Sequence, residues 1–366
     1  MFGHPTTSLS PRHATRRSRL LGTTAVAVMA LGSAGGALAA PCSSPYVTGD
    51  VFASVSSQTV DVFTPTGAAV CQLNDATGSL TTGSGFDAAG NFYVTTFGSG
   101  TVAKFNNSGG LVNSSFMSSN NTPESVDNQS SGAFAGMSNV GGPGAALINQ
   151  FNTSTGALVH SYSVTGGNGT GGTDWTDTYN KTTGQVIYDG EGTKILSAIL
   201  NPDGTTTQLA DFTSAATEAS GKLVHLFAMR TIPSGTFAGD VLVSNSVNAL
   251  LLDASGNIIQ TYTLPGDGGG DFSLNLDPNG TDFWTGDFAT DTIWEVNIAT
   301  GAIDEQWNTG SGPGTLYGIS VFGELQNGGS PPPPPPPPGV PEPASLALFG
   351  TALAGLGAFR RRRKAS

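Results

Sequence analysis

The sequence predicts an all-β protein built from short antiparallel strands in groups of four, and three observations lead there. First, between Pro41 and Gly329 of the 366-residue chain no segment carries apolar residues at the 3.6-residue spacing of an amphipathic helix. Short β-branched and aromatic runs bounded by turn residues occur throughout instead. Second, a polar turn ending in glycine recurs six times, closing at Gly67, Gly109, Gly156, Gly204, Gly256 and Gly301 with spacings of 42, 47, 48, 52 and 45 residues. A unit of ~40–50 residues holding four strands is the pattern of a propeller blade. Third, the two ends of the array are complementary: three strands open it and one orphan strand closes it. The expectation is a six-bladed β-propeller closed by the C-terminal strand joining the N-terminal blade.

The individual strands follow from local pattern. In the last complete copy they read as 271–277, 282–288, 292–298 and 302–307, and in the second as 85–88, 91–97, 101–106 and 111–116. The opening segment supplies 50–56, 59–64 and 68–73; the closing one supplies 316–324, of which 317–322 should lie beside 51–55. Glycine suits the recurring turn because tight hairpins often need a positive φ, which it adopts without steric cost. Closing the ring removes the free strand edges that invite aggregation. Tandem immunoglobulin-like sandwiches would need ~90–100 residues per repeat, which the period of about 48 does not supply.

Both ends of the chain read as targeting segments. Residues 1–40 lack acids, carry Arg12, Arg16, Arg17 and Arg19, then run apolar to Ala37-Leu38-Ala39. That is a secretory signal peptide cleaved after Ala39 or Ala40. Arg16-Arg17 invites a twin-arginine reading, but Arg19 stands where an apolar residue is usual, which favours ordinary Sec export. After a propeller body at 41–329 comes a proline-rich spacer at 330–340. Its eight consecutive prolines, 331–338, would extend ~25 Å as polyproline. Within 341–366 an apolar stretch, 344–359, would span ~24 Å as a transmembrane helix. The basic residues after it would stay cytoplasmic, leaving the body outside.

Pro341, Glu342 and Pro343, then the apolar stretch and Arg360, Arg361, Arg362 and Arg363, resemble the PEP-CTERM sorting signal of Gram-negative bacteria. The resemblance implies recognition by an exosortase-type processing enzyme and delivery to the cell surface or extracellular matrix. The helix would anchor the chain in the membrane transiently or permanently. It also suggests extracellular polysaccharide as a partner. Trp175, Trp284 and Trp294, where exposed, offer surfaces for stacking on sugar rings, though most of them read as blade-packing residues.

Composition narrows the function. Between the two targeting segments stand five cationic residues (Lys104, Lys181, Lys194, Lys222 and Arg230) against 25 carboxylates, a formal charge of −20. Such a surface repels phosphate backbones and excludes nucleic acid as a partner. Cys42 and Cys71, in an exported chain, point to one disulfide worth roughly 3–4 kcal/mol in the chain-entropy model; two free thiols are the alternative.

Residues 87–97 and 277–288, each a polar turn followed by an apolar strand, resemble blades of the NHL-like and lactonase-like propellers. In that group the active groups line the innermost strands, and a channel Ca²⁺ is held by Glu, Asn and Asp. Here the inner strands would present Asp87, Asp127, Asp174, Asp177, His225, Asp271 and Asn275. Asp174, Asp177 and Asp271 are the best candidate ligands for a hard cation, with His225 as a candidate base. A metal-dependent lyase of the virginiamycin-inactivating kind pairs a channel histidine with a glutamate. The inner strands lack an evident glutamate partner, Glu124 and Glu218 being near in sequence only. His160 is expected on an outermost strand.

Asp87 and Asp277 also fit plain turn positions, where Asp bonds its own backbone. Gly167, Gly169 and Gly172 satisfy G-x-G-x-x-G, but with no helix to follow the motif reads as a loop. Residues 267–271 read as a connection between blades. The leading expectation is a non-catalytic binding or structural protein without cofactor, the alternative a Ca²⁺-dependent lactonase-like hydrolase or lyase working in the channel.

Overall fold

The computed structural model describes residues 40–325 except 120, 130–131 and 139–145. The leader, the proline spacer, the apolar tail and its basic end lie outside the described residues. Those described form six four-stranded antiparallel sheets. Blade 1 holds Val51–Val55, Thr59–Phe63 and Ala69–Asn74, with Leu316–Val321 as its innermost strand. Val51 pairs with Val321 and Ala53 with Ile319, so the two ends of the body share one sheet. In blades 2 to 6 the innermost strands are Thr81–Phe86, Thr122–Gln129, Trp175–Asn180, Met229–Thr231 and Asp271–Leu276. Each packs beside the next around a central channel.

Burial explains why the strands read as they do. Second and third strands lie between neighbouring blades and are buried on both faces, as in Phe92–Thr96, Val241–Ser244 and Ala249–Leu252. They therefore appear as continuous apolar runs. Fourth strands face solvent on one side, and Ile303–Asn308 alternates accordingly. Blades 1 and 2 are joined by an aromatic cluster in which Phe52 meets Tyr46 and Phe86 edge-on at 4.7 and 4.9 Å, with Phe322 against Phe86 at 5.1 Å. Phe322 directly follows the closing strand, so both ends of the body bury rings in one core. The Cys42–Cys71 disulfide ties the chain ahead of blade 1 to that blade's outermost strand.

The six recurring glycines all adopt positive φ, between 72° and 85°. All sit in the hairpin joining the third and fourth strands. They serve a second purpose, because the fourth strand of the preceding blade, or the chain flanking it, presses against each. A Cβ on Gly67 would lie 2.6 Å from Trp307 Cγ, one on Gly156 1.8 Å from the Phe116 carbonyl oxygen, and one on Gly204 2.7 Å from His160 Nδ1. The repeat is thus a rule of inter-blade packing as well as of turn geometry.

Two short elements among the described residues depart from the expectation of no helix, the first a single 3-10 turn at Phe97–Ser99. Ala215–Ala219 forms a short helix in the long connection between blades 4 and 5, with the Ser214 side chain accepting from the Thr217 amide. At five residues it is too short for apolar periodicity to register. No helix among the described residues is long and apolar enough to cross a membrane.

Candidate metal centre at the channel mouth

Small residues close the middle of the channel. Ser54 Oγ donates to the Thr82 carbonyl at 2.9 Å, Ser125 Oγ to the Asp174 carbonyl at 2.8 Å, and the Ser84 and Ser320 hydroxyls bond each other. A Cβ on Gly318 would meet the Thr82 oxygen at 2.2 Å. The space left in the middle, about 10 Å³, is marginal for one water. Within the channel, room for a ligand therefore lies at the two mouths.

At the mouth where the inner strands begin, Glu124, Asp174 and Glu191 each bring a carboxylate oxygen within 4.8 Å of the others. Three local devices assemble them. Glu124 is the bulged residue of its strand: Pro123 pairs with Met137 and Ser125 with Gly136, leaving Glu124 without a partner in the ladder. Bulges of this kind re-aim a side chain. Asp174 ends the Gly167–Gly172 loop, and Thr170 Oγ1 donates to its Oδ2 at 2.6 Å. Glu191 follows the second strand of blade 4 at φ 58°, and its amide donates to Asp189 Oδ1 at 2.9 Å.

The glycine loop, expected to be a loop and no nucleotide cradle, has neither helix nor strand. Its glycines let two backbones touch: a Cβ on Gly167 would lie 2.3 Å from the Gly190 nitrogen, and the Thr170 amide donates to the Gly190 carbonyl at 2.7 Å. That contact brings Asp174 and Glu191 together.

Electrostatically the cluster is unbalanced. Asp174 and Asp189 are fully buried, and Asp174 Oδ1, Asp189 Oδ2 and Glu124 Oε2 have no hydrogen-bond partner among the described residues. Burial, then Glu191 and Asp174, push the Glu124 carboxyl well above its ordinary range. Burial, then Asp174, raise Glu191 to about 7. Burial likewise drives Asp189 upward. Buried carboxylates in this state need protons or a cation. Oxygens coordinate Ca²⁺ at ~2.3–2.6 Å, so two on opposite sides of one ion lie ~4.8 Å apart. The donor set is all oxygen and suits a hard cation.

The four expected metal residues fall in separate places, and only Asp174 joins this cluster. Asp177 lies at the opposite mouth, where its Oδ2 accepts from the Thr231 amide and hydroxyl at 2.9 and 2.6 Å. Burial and then Asp127 raise it to about 7, while Arg230 opposes the rise. Arg230 Nε in turn pairs with Glu324 at 2.6 Å. Asp271 takes a bond from Thr285 Oγ1 and shares its surroundings with Asp267 and Asp287 on blade 6. His225 is a correction: it is exposed in the loop ahead of the blade 5 inner strand, its ring 6.5 Å from Phe227, because the strand begins only at Met229.

The missing glutamate is a second correction, since Glu124 stands on an inner strand. A bulge residue sits out of the period-2 pattern, which concealed it. Glu191 carried one faint signal, its place directly after Asp189-Gly190. Trp175, Trp284 and Trp294 are buried, so they offer no stacking surface. Asp87 and Asp277 do serve their turns, accepting from the Ala89 and Asn279 amides. His160 lies on the outermost strand of blade 3.

Comparison with known proteins agrees with this architecture. A PEP-CTERM protein-sorting motif covers residues 339–363. The body is similar in fold to a chain in the crystal structure of a nidogen/laminin complex, at 13% identity and TM-score 0.54, over 74% of this chain and 97% of that one. A functionally unknown protein from Desulfotomaculum acetoxidans is similar at 11% identity and TM-score 0.50, over 74% and 84%. A virginiamycin B lyase from Staphylococcus aureus, at 12% identity and TM-score 0.43 over 62% and 69%, is too distant to carry an argument. No curated protein matches the chain in sequence.

Fold and motif together define a class, an all-β six-bladed propeller bearing an envelope-sorting signal. This chain is an exported protein, sorted to the cell envelope and carrying the motif that exosortases process.

Proposed function

We propose that the protein is a cation-binding propeller of the cell surface or surrounding matrix, with a binding or structural role and no catalytic one. One observation carries the reading: Glu124, Asp174 and Glu191 converge at the channel mouth, where Glu124 and Asp174 each bring a buried oxygen with no hydrogen-bond partner among the described residues. The cation is Ca²⁺, whose flexible coordination tolerates three carboxylates from a bulge, a loop end and a turn, with backbone oxygens or water completing the shell. His160 lies on an outer strand, away from the carboxylate cluster. The disulfide and closed ring suit a protein outside the cytoplasm.

The test is calorimetric titration of the chelator-treated full chain with Ca²⁺, beside the Asp174→Asn variant. One site per chain, lost in the variant, is expected. Absence of Ca²⁺ binding would end this reading. Release into the medium that fails in Glu342→Ala would support processing of the tail, whereas unchanged release would count against it.

A further inference from the structure

The seams between blades are closed mainly by aromatic rings. At the seam of blades 6 and 1, Trp307 packs on Phe63 at 4.8 Å and on Trp284 at 6.2 Å. At the seam of blades 5 and 6, Tyr262 meets Phe283 at 4.9 Å and donates to the Ile298 carbonyl at 2.7 Å. At the seam of blades 2 and 3, Tyr93 donates to the Thr153 carbonyl, and Lys104 covers Tyr93 and Phe116.

The seam of blades 3 and 4 is closed in the same way at one end, where Tyr188 Oη donates to the Thr165 carbonyl at 2.9 Å, but opens at the other. His160 presses on the hairpin glycine, Gly204, as Trp307 does on Gly67. Tyr162 turns back into its own blade, bonding Gln150 Oε1 at 3.0 Å. Blade 4 answers with Val186, Leu200 and the polar hairpin Lys181–Gly184. A cleft of about 480 Å³ is left, within the range of small-molecule sites.

We propose that this cleft binds a small amphipathic anion. Its apolar body lies against Phe134, Tyr162, Val186 and Leu200, and its charged group is held by Lys181 with His160 as a ring donor. Lys181 argues for an anion, since Asp203, the carboxylate beside His160 and Tyr162, is engaged by the Thr205 amide and hydroxyl at 3.0 and 2.6 Å. In a body of −20, one of only five cationic residues and one of only two histidines line the same cleft. Lys181 has no ion-pair partner among the described residues, whereas Lys194 and Arg230 are paired. The site is separate from the carboxylate cluster and does not depend on a cation there.

The test uses 2-naphthoate as an anionic aromatic probe and 2-naphthalenemethanol as its neutral counterpart, titrated by calorimetry into the full chain with chelator present. One naphthoate site is expected, at least tenfold weaker in Lys181→Met and at least tenfold weaker for the neutral probe. Val159→Trp fills the cleft from a half-exposed position on the outermost strand, and Thr183→Trp fills it from the exposed hairpin. Either should abolish binding while the melting transition remains. Absence of naphthoate binding, equal affinity for the two probes, or binding undiminished in both tryptophan variants would overturn the proposal.

Discussion

Glu191→Gln tests the channel-mouth cluster through the linkage of pH, cation and stability. In the folded protein the Glu191 carboxyl is raised to about 7 from an ordinary 4.5. Between those values the folded form keeps a proton that the unfolded chain has released. Stability therefore falls as pH climbs through this window and is fully available only below about 4.5. At ~1.36 kcal/mol per pH unit the penalty at pH 7.5 is roughly 3 kcal/mol. A bound cation favours the ionised form and offsets that penalty. At a hundredfold excess over its dissociation constant it adds ~2.7 kcal/mol, or about 5 °C at ~2 °C per kcal/mol for a chain of this size.

Scanning calorimetry of wild type and variant, with chelator or Ca²⁺, at pH 4.5 and 7.5, separates the contributions. Wild type should gain about 5 °C from Ca²⁺ at pH 7.5 and almost nothing at pH 4.5, where protons compete. Glu191→Gln should melt higher than wild type at pH 7.5 under chelator and lose most of the Ca²⁺ gain. The difference between the two proteins removes raised carboxyls elsewhere, such as Asp271, from the comparison, whereas Glu124 and Asp189 lose the repulsion of Glu191 and add to the gain of the variant. The reasoning fails if the variant melts with wild type at pH 7.5 under chelator and still responds fully to Ca²⁺.

Three further perturbations probe the frame that holds the site. Gly156→Ala forces a Cβ to within 1.8 Å of a backbone oxygen, whereas Gly78, also at positive φ, has open space around it. Denaturant unfolding should show Gly78→Ala costing ~1 kcal/mol and Gly156→Ala at least ~2 kcal/mol more. Arg230→Met strands the buried Glu324 carboxylate and should cost ~3–5 kcal/mol, with much of it recovered in a double variant that also carries Glu324→Leu. Replacing Cys42 and Cys71 together by alanine should lower unfolding free energy by ~3 kcal/mol, measurable in urea.

Much of the architecture was legible because it is written locally. Expected strands at 282–288 and 292–298 appear as Asp282–Asp287 and Thr292–Asn297, since alternation and turn chemistry need only a residue's immediate neighbours. The recurring glycines marked the hairpins for the same reason, and the three-strand start with its orphan end anticipated the shared sheet of blade 1. Asp87 and Asp277 declared themselves as turn residues.

The site was another matter. Glu124, Asp174 and Glu191 are separated by long stretches of chain and meet only because a bulge, a glycine-to-glycine backbone contact and an αL turn converge at one mouth. None of those three devices has a period to read. Whether an inner-strand aspartate faces Arg230, Thr285 or another carboxylate depends on the rotation between successive blades, which no short stretch of residues encodes. The sequence alone determined strands, turns, ring size and the sorting signal. Only the tertiary structure decided which carboxylates share a mouth, that His225 sits in an exposed loop ahead of its inner strand, and that a cleft lined by Lys181 and His160 opens at one end of the seam of blades 3 and 4. Turns and strand patterns are set by backbone torsion and side-chain alternation, whereas proximity across blades is set by packing.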